Sequence, residues 1–245
     1  MFEGRRVLAL VPARSGSKGI RDKNLQRVRG ISLIGWAGQT LAQVPFLDGR
    51  VLSTDDARYA AEGRRHGLDA PFVRPAALST DAAPVVLAMQ HALGESEAHY
   101  AIRFDIILLV EPTSPWRTAG DIERATRRLI ATGADSVVTV SPLSANFHPR
   151  KLLTLAAGRV AFLEEEGRQV VARQELSGGL YWRNGVCYAL TRACLMEHGA
   201  IFTAHTVAEI IDHPVVNIDD PFELVVAERL WDHAFAPGDR GGAGA

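Results

Sequence analysis

The sequence predicts an α/β fold, a mainly parallel, doubly wound sheet, on three observations. Short apolar runs alternate with helix-period stretches through residues 1–140, with no hairpin signals between them. The first run, Val7-Leu8-Ala9-Leu10-Val11, is unbroken up to Pro12, as in a strand covered on both faces. It empties into Arg14-Ser15-Gly16-Ser17-Lys18-Gly19, a glycine-bearing cationic loop. Such a loop at the carboxyl end of a strand suits phosphate, because the backbone bends closely and amides and cations face one anion. The glycine spacing matches neither the P-loop nor the dinucleotide fingerprint.

The elements follow in order. Residues 30–43 carry Ile31, Leu33, Ile34, Ala37 and Leu41 at helical spacing. Residues 50–53 read as a strand running into Thr54-Asp55-Asp56. A helix over 56–67 turns Ala57, Ala60 and Ala61 inward and ends at Gly67. Residues 69–73 read as the next strand. Residues 83–93 place Val85, Val86, Met89, Ala92 and Leu93 on one helix face. Residues 105–110 form the clearest later strand. A helix over 119–131 buries Ile122, Ala125, Leu129 and Ile130 and leaves Arg124, Arg127 and Arg128 wet. Residues 136–140 are another strand.

Residues 141–184 break the alternation with Pro142, Pro149, short strand-like pieces such as 160–163, and Glu164-Glu165-Glu166. This stretch reads as an arm of loops and hairpin strands projecting from an α/β domain made of 1–140 and 185–235. Residues 185–190 return to strand, 191–198 form a short helix, and 215–218 a last strand. Asp219 or Asp220 caps the final helix, Pro221 opens it and Glu223 complements its positive end. Leu224, Val225, Ala227, Leu230 and Trp231 give its buried side. Residues 236–245, rich in Pro, Gly and Ala, read as a disordered tail.

Composition narrows the function. Apolar residues are 47% and charged residues 22%, which implies a folded core. The net charge of −1 gives no basic excess for a nucleic acid backbone. No apolar run reaches the ~20 residues of a membrane span. The two cysteines, Cys187 and Cys194, form no metal-ligand spacing and no disulfide framework, which points to a reducing cytoplasm.

Several motifs resemble, in order, those of the acylneuraminate cytidylyltransferases, also called CMP-sialic acid synthetases. Pro12-Ala13-Arg14-Ser15-Gly16-Ser17-Lys18-Gly19-Ile20 with Lys23-Asn24 is similar to their N-terminal signature. Arg74-Pro75 with Ser79-Thr80-Asp81, Glu111-Pro112-Thr113-Ser114-Pro115-Trp116-Arg117, His148-Pro149-Arg150-Lys151, Arg173-Gln174, Asn184-Gly185-Val186-Cys187-Tyr188 and Val216-Asn217-Ile218-Asp219 resemble later segments. The resemblance spans Arg6 to Trp231 and implies a Rossmann-like nucleotidyltransferase sheet and a homodimer whose arm, 141–184, packs on the second subunit.

By that resemblance, Arg14, Ser17, Lys18, Lys23 and Asn24 hold CTP, with Arg14, Lys23 and Asp219 as the catalytic set and Lys23 at the attacked α-phosphate. Arg74 reads the cytosine edge, and Asp81 joins the CTP site. Glu111, Lys151 and Arg173 hold an acidic acceptor; the sialic acid enzymes usually carry glutamine where this chain has Glu111. Asn217 and Asp219 gather Mg²⁺, with Asn217 standing where an aspartate is usual. The implied reaction transfers CMP from CTP to a sialic-type nonulosonic acid and releases pyrophosphate. A 3-deoxy-octulosonate-type sugar or a small phosphonate as acceptor, a nucleotide-binding module without catalysis, and an α/β enzyme using ATP or UTP stay open as alternatives.

Overall fold

A computed structural model describes residues 1–169 and 179–234. The chain enters as β1 (Val7–Pro12) and makes a small hairpin of β2 (Arg27–Val28) and β3 (Ile31–Ser32) before α1 (Leu33–Ala42). β4 (Gly49–Ser53), α2 (Ala57–Arg65), α3 (Val85–Tyr100), β5 (Ile106–Leu109), α4 (Ala119–Thr132) and β6 (Ser136–Pro142) follow. A second hairpin, β7 (Leu153–Ala156) with β8 (Arg159–Phe162), precedes β9 (Tyr181–Thr191). α5 (Arg192–Met196), β10 (Thr206–Ile210), α6 (Pro221–Arg229) and α7 (Trp231–Ala234) complete the described chain.

The main sheet has the order β10-β6-β9-β5-β1-β4. Its pairs are parallel except those of β9, which runs against both β5 and β6. The carboxyl ends of β5 and β6 and the start of β9 therefore share one rim.

The unbroken apolar strands are covered on both faces, as their composition predicts. In β1, Val7, Ala9 and Val11 pack with Ile34, Leu41, Tyr59, Ile122 and Leu129 from α1, α2 and α4. Leu8 and Leu10 pack oppositely, with Met89, Leu93 and Leu195 from α3 and α5. The period of two in the strand distributes one sequence between two cores. A third cluster joins Ile20, Val28, Leu33, Trp36, Trp116, Ile218 and Ala227, and so seats α6 beneath the rim. Trp36 and Trp231 lie 4.3 Å apart between ring centroids at its edge.

Several elements differ from the sequence expectation. The β2–β3 hairpin interrupts the expected alternation; Arg29 and Gly30 take positive φ of 52° and 78°, which closes a two-residue turn. Residues 69–73 make a single bridge to Val51, because Pro71 removes a ladder donor. In α2 the buried residues are Tyr59, Glu62 and Gly63, while Ala57 is exposed. On α6, Val225 is exposed, and so is Leu230 at its end. Residues 215–218 form no strand; Ile218 N donates to Thr113 O at 2.8 Å and the segment crosses the rim. The sheet's edge strand is instead β10, whose Glu209 faces Arg124 and Arg128 of α4 at 3.2 and 3.6 Å.

Asp220 caps α6 and forms a capping box with Glu223. Between β6 and β9, β7 and β8 pair Leu153 with Phe162 and Leu155 with Val160, so these four side chains share one face of the hairpin. The expected tail, 236–245, lies outside the described residues. Among the described residues no helix is long and apolar enough to cross a membrane.

Candidate active site

A cleft of ≈ 480 Å³ opens at the carboxyl ends of β1, β4 and β5. Arg14, Ser17, Lys23, Asn24, Arg74, Asp81, Glu111, Asn217 and Asp219 line it, so most of the residues named from the sequence converge.

The loop after β1 is fixed from both sides. Asp55, beyond β4, accepts from the backbone N and the Oγ of Ser15, each at 2.8 Å. Gly16 adopts φ +72°, a region costly for other residues. Asn24 is buried and donates from Nδ2 to Arg14 O at 3.3 Å. Gly19 abuts the far end of the chain, since a Cβ there would lie 2.7 Å from Asp219 O.

Three of the cations, Arg14, Lys18 and Lys23, are held by acids of the protein itself. Asp81 accepts from Arg14 Nη2 at 2.5 Å and pairs with Lys18 Nζ at 2.6 Å. Hydrogen bonds from Lys18 and then Arg14 hold its carboxyl below the usual range. Lys18 does not itself line the cleft but reaches it through Asp81. Lys23 Nζ lies 2.8 Å from Asp219 Oδ1. Arg74 is buried; its Nε donates to Ser53 Oγ at 3.0 Å and its Nη2 to Ser53 O. Burial lowers its pKa to about 10, against the pull of Asp55.

Glu111 ends β5's rim turn. Burial raises its pKa, while the neighbouring Arg117 charge opposes the shift. A Cβ on Gly185 would stand 2.6 Å from Glu111 Oε2, and Gly185 has φ +68°. Glycine is needed here for space and for backbone alike. Arg117 is a structural member of the motif: its Nε donates to Val186 O at 2.8 Å and its Nη2 to the carbonyls of Glu111 and Gly185.

Asn184 is likewise structural. It is fully buried, donates to Ser141 Oγ at 3.0 Å and accepts from Thr139 Oγ1 at 2.7 Å. These bonds hold an irregularity in β9, where five positions from Arg183 to Tyr188 oppose two on β6, from Val138 to Val140. The slack brings Arg183, Gly185 and Tyr188 to the cleft wall.

Arg183 and Tyr188 also line the cleft, and the sequence motifs do not assign either of them to it. Arg183 has no signal beyond its place next to Asn184-Gly185. Its guanidinium lies 5.4 Å from the Phe202 ring centroid, and Tyr188 meets Phe202 edge-on at 6.4 Å. Burial and the charge of Glu111 push the Tyr188 phenol up to about 12, so it stays protonated.

One expected acceptor residue does not line the cleft. Lys151 is exposed on the turn Pro149–Lys151 and does not line it. The turn directs it outward, with Lys151 N bonded to His148 O at 2.8 Å. Arg173 lies outside the described residues.

Two side-chain oxygen donors meet beside Lys23. The Asp219 carboxylate is one; the other is Asn217 Oδ1, which is buried without a hydrogen-bond partner. Asn217 Nδ2 lies 3.4 Å from Asp219 Oδ2. Mg²⁺ takes one or two protein oxygens and completes its shell with phosphates and water, so this pair fits it. Among the described residues no group of three His, Cys, Asp or Glu gathers as a metal cage.

Residues 8–172 match the family model described as Cytidylyltransferase. The chain is 24% identical to post-translational flagellin modification protein B of Campylobacter coli over 225 residues, covering 91% of this chain and 94% of that protein. It is 28% identical to the CMP-N,N'-diacetyllegionaminic acid synthase of Legionella pneumophila over 236 residues, covering 93% and 97%. Among solved structures, a CMP:2-keto-3-deoxy-manno-octonic acid synthetase complexed with CTP superposes with a TM-score of 0.66 at 15% identity, over 94% of this chain and 100% of that one. At that identity the likeness speaks for the Rossmann-like nucleotidyltransferase fold.

Proposed function

The chain belongs to the cytidylyltransferase family, and on that premise we propose that it transfers CMP from CTP to a sialic-type nonulosonic acid and releases pyrophosphate. The observation that carries this reading is the convergence of Arg14, Lys23, Arg74 and Asp219 on one cleft beside a bent, cationic loop. The names of the relatives support an acidic sugar as acceptor.

The transfer is an in-line displacement at the α-phosphorus. The acceptor oxygen bonds to it, the bond to the β-phosphate oxygen breaks, and pyrophosphate leaves with the electron pair. Such chemistry asks the protein for alignment and charge stabilisation rather than covalent help. Arg14, Ser17, Lys18 and Asn24 hold the triphosphate, for which Arg14 and Lys18 exchange Asp81. Lys23 meets the charge that grows at the α-phosphate. Arg74, clamped to Ser53, presents a fixed planar guanidinium to the base. Glu111 faces the acceptor's hydroxyls as a hydrogen-bond partner. Asp219 and Asn217 would hold Mg²⁺, which when bound neutralises phosphate charge.

The reading extends to assembly and place. The exposed apolar face of Leu153, Leu155 and Val160 on a two-stranded hairpin is short of support by itself, and a second copy of the chain is the occupant that completes it. Cys187 and Cys194 are buried, unpaired thiols, in keeping with a reducing cytoplasm.

Pyrophosphate release tests the reading directly. With Mg²⁺ present, CTP but not ATP, GTP or UTP supports release, and only when an acid of the nonulosonic class is added. Release that ignores the acid, or that follows another nucleotide, refutes it.

A further inference from the structure

We propose that Asp81 is a built-in competitor of the terminal phosphates: it occupies their cations in the empty cleft and, by returning to them after transfer, drives pyrophosphate out. The inference rests on the proposed transfer from CTP and concerns how substrate and leaving group enter and leave.

Asp81 bridges two cations of the loop after β1, Arg14 Nη2 at 2.5 Å and Lys18 Nζ at 2.6 Å. Lys23, further along the same stretch, pairs separately with Asp219 at 2.8 Å. Arg14 and Lys18 thus form a doubly positive unit closed by one carboxylate. An ionised carboxylate offers such cations what the edge of a phosphate offers, two acceptor oxygens and a negative charge. The hydrogen bonds from Lys18 and Arg14 keep the Asp81 carboxyl below the usual range, so it is charged at neutral pH.

Asp81 arrives on a turn that is fixed at its two ends. Before it, Arg74 is buried, with its backbone N donating to Thr54 O at 2.8 Å; after it, α3 starts beyond Pro84. Between them Ala76, Ala77, Thr80, Asp81 and Ala82 are exposed. The backbone hydrogen bonds from Ser79 N to Ala76 O and from Ala83 N to Thr80 O stay within the turn. Among the described residues, the hydrogen bonds and ion pairs that cross from 76–84 to the loop after β1 are those of Asp81. The carboxylate can therefore withdraw by giving up these pairs and leave Arg74 clamped to Ser53.

Magnitudes decide which anion holds the cations. The three side chains are partly or largely exposed, so water and salt screen the pairs, and together they are worth about 3- to 10-fold in an equilibrium. A polyphosphate brings more charge than Asp81 to the same two cations and displaces it. Asp81 takes the same factor from CTP and from pyrophosphate, but CTP has a second hold through its base. Pyrophosphate, once cut from the nucleotide, has none, and the tethered carboxylate competes with it from within the molecule. CMP carries only the phosphate assigned to Lys23 and does not contest Arg14 and Lys18.

Asp81→Asn keeps the shape of the side chain and removes its charge. Calorimetry with inorganic pyrophosphate, and separately with CMP, at constant Mg²⁺ and ionic strength reads the exchange without turnover. Product inhibition by pyrophosphate and KM for CTP read it during turnover. In Asp81→Asn, pyrophosphate is expected to bind about 3- to 10-fold more tightly and to inhibit at correspondingly lower concentration. KM for CTP falls by a similar factor, and affinity for CMP stays unchanged. The gain shrinks in a Lys18→Met background, the coupling that an exchange on shared cations requires. Pyrophosphate binding that is unchanged or weaker in Asp81→Asn, or CMP binding that tightens by the same factor, overturns the inference and leaves the transfer reading standing. Tighter pyrophosphate binding in Asp81→Asn, with no pyrophosphate released from CTP and an acid by either protein, preserves the exchange of anions and overturns the transfer reading.

Discussion

Lys23 and Asp219, 196 positions apart in the chain, meet with Nζ 2.8 Å from Oδ1. The contact ties the first loop to the segment that precedes α6. It also places the cation proposed for the α-phosphate beside the anion proposed for the metal. Lys23→Met keeps the stem and removes the charge. Turnover is expected to fall about 100- to 1000-fold, the cost of deleting one preorganised donor from an anionic transition state. Pyrophosphate release at saturating CTP checks this.

Gly19 is the steric side of the same junction. A methyl group there meets the Asp219 carbonyl oxygen at 2.7 Å, and a backbone atom cannot swing aside as a flexible side chain would. Gly19→Ala is expected to cost about 1–3 kcal/mol, typical of overpacking, and to lower turnover by displacing Asp219. Urea unfolding and steady-state kinetics read the two effects.

Glu111→Gln should stabilise the ligand-free protein at neutral pH. Burial raises the folded-state pKa of Glu111, so its ionised form is the strained one. The wild-type contribution is complete below the unfolded value of about 4.3 and is lost as pH rises through the folded value. The neutral amide escapes that loss. The difference in melting temperature should therefore open as pH rises from 4 to 8, by roughly 2–4 °C for each kcal/mol relieved. A difference that stays flat over this range contradicts the prediction.

His213 predicts the same direction of pH dependence at a second place. Its Nε2 lies 3.0 and 3.1 Å from the two oxygens of buried Asp121, and its Nδ1 lies 2.9 Å from Pro214 O. Both nitrogens face acceptors, and only the imidazolium donates from both. The hydrogen bond to Asp121 raises the His213 pKa above its usual value, against desolvation. Its stabilisation is thus whole below about pH 6.5 and fades as pH climbs through the raised value. His213→Ala should lose most in urea unfolding near pH 5.5 and least near pH 9.

Leu155 probes the arm. It is 74% exposed, and it shares a hairpin face with Leu153, Val160 and Phe162. Leu155→Lys places a charge in the proposed subunit contact, so light scattering should shift from a dimer mass to a monomer mass. The α/β core makes no use of this residue, and the melting transition of a monomeric species should remain cooperative.

Much of this molecule is readable in the sequence. The run from Val7 to Val11 declares a strand covered twice, and it is. The loop after it, Glu111 and Asp219 all reach the cleft foretold for them. What failed to show has identifiable causes. The edge strand Thr206–Ile210 lacks alternation, since its Glu209 is turned to the arginines of α4. Asn217 and Asp219 share the cleft without sharing a strand, because tertiary contacts to Gly19 and Thr113 place them. Arg183 was hidden for a different reason. Its place depends on three-dimensional slack between β6 and β9 that no local period encodes.

The reversed direction of β9 has an outcome for how such proteins diversify. Chain leaves the sheet at the end of β6 and comes back at the start of β9, both on the rim that carries the cleft. A segment inserted between these two ends enters and leaves the sheet on that rim without redrawing a ladder among β5, β1 and β4. Grafting that stretch between relatives with different acceptors should exchange their sugar preference and spare their affinity for CTP.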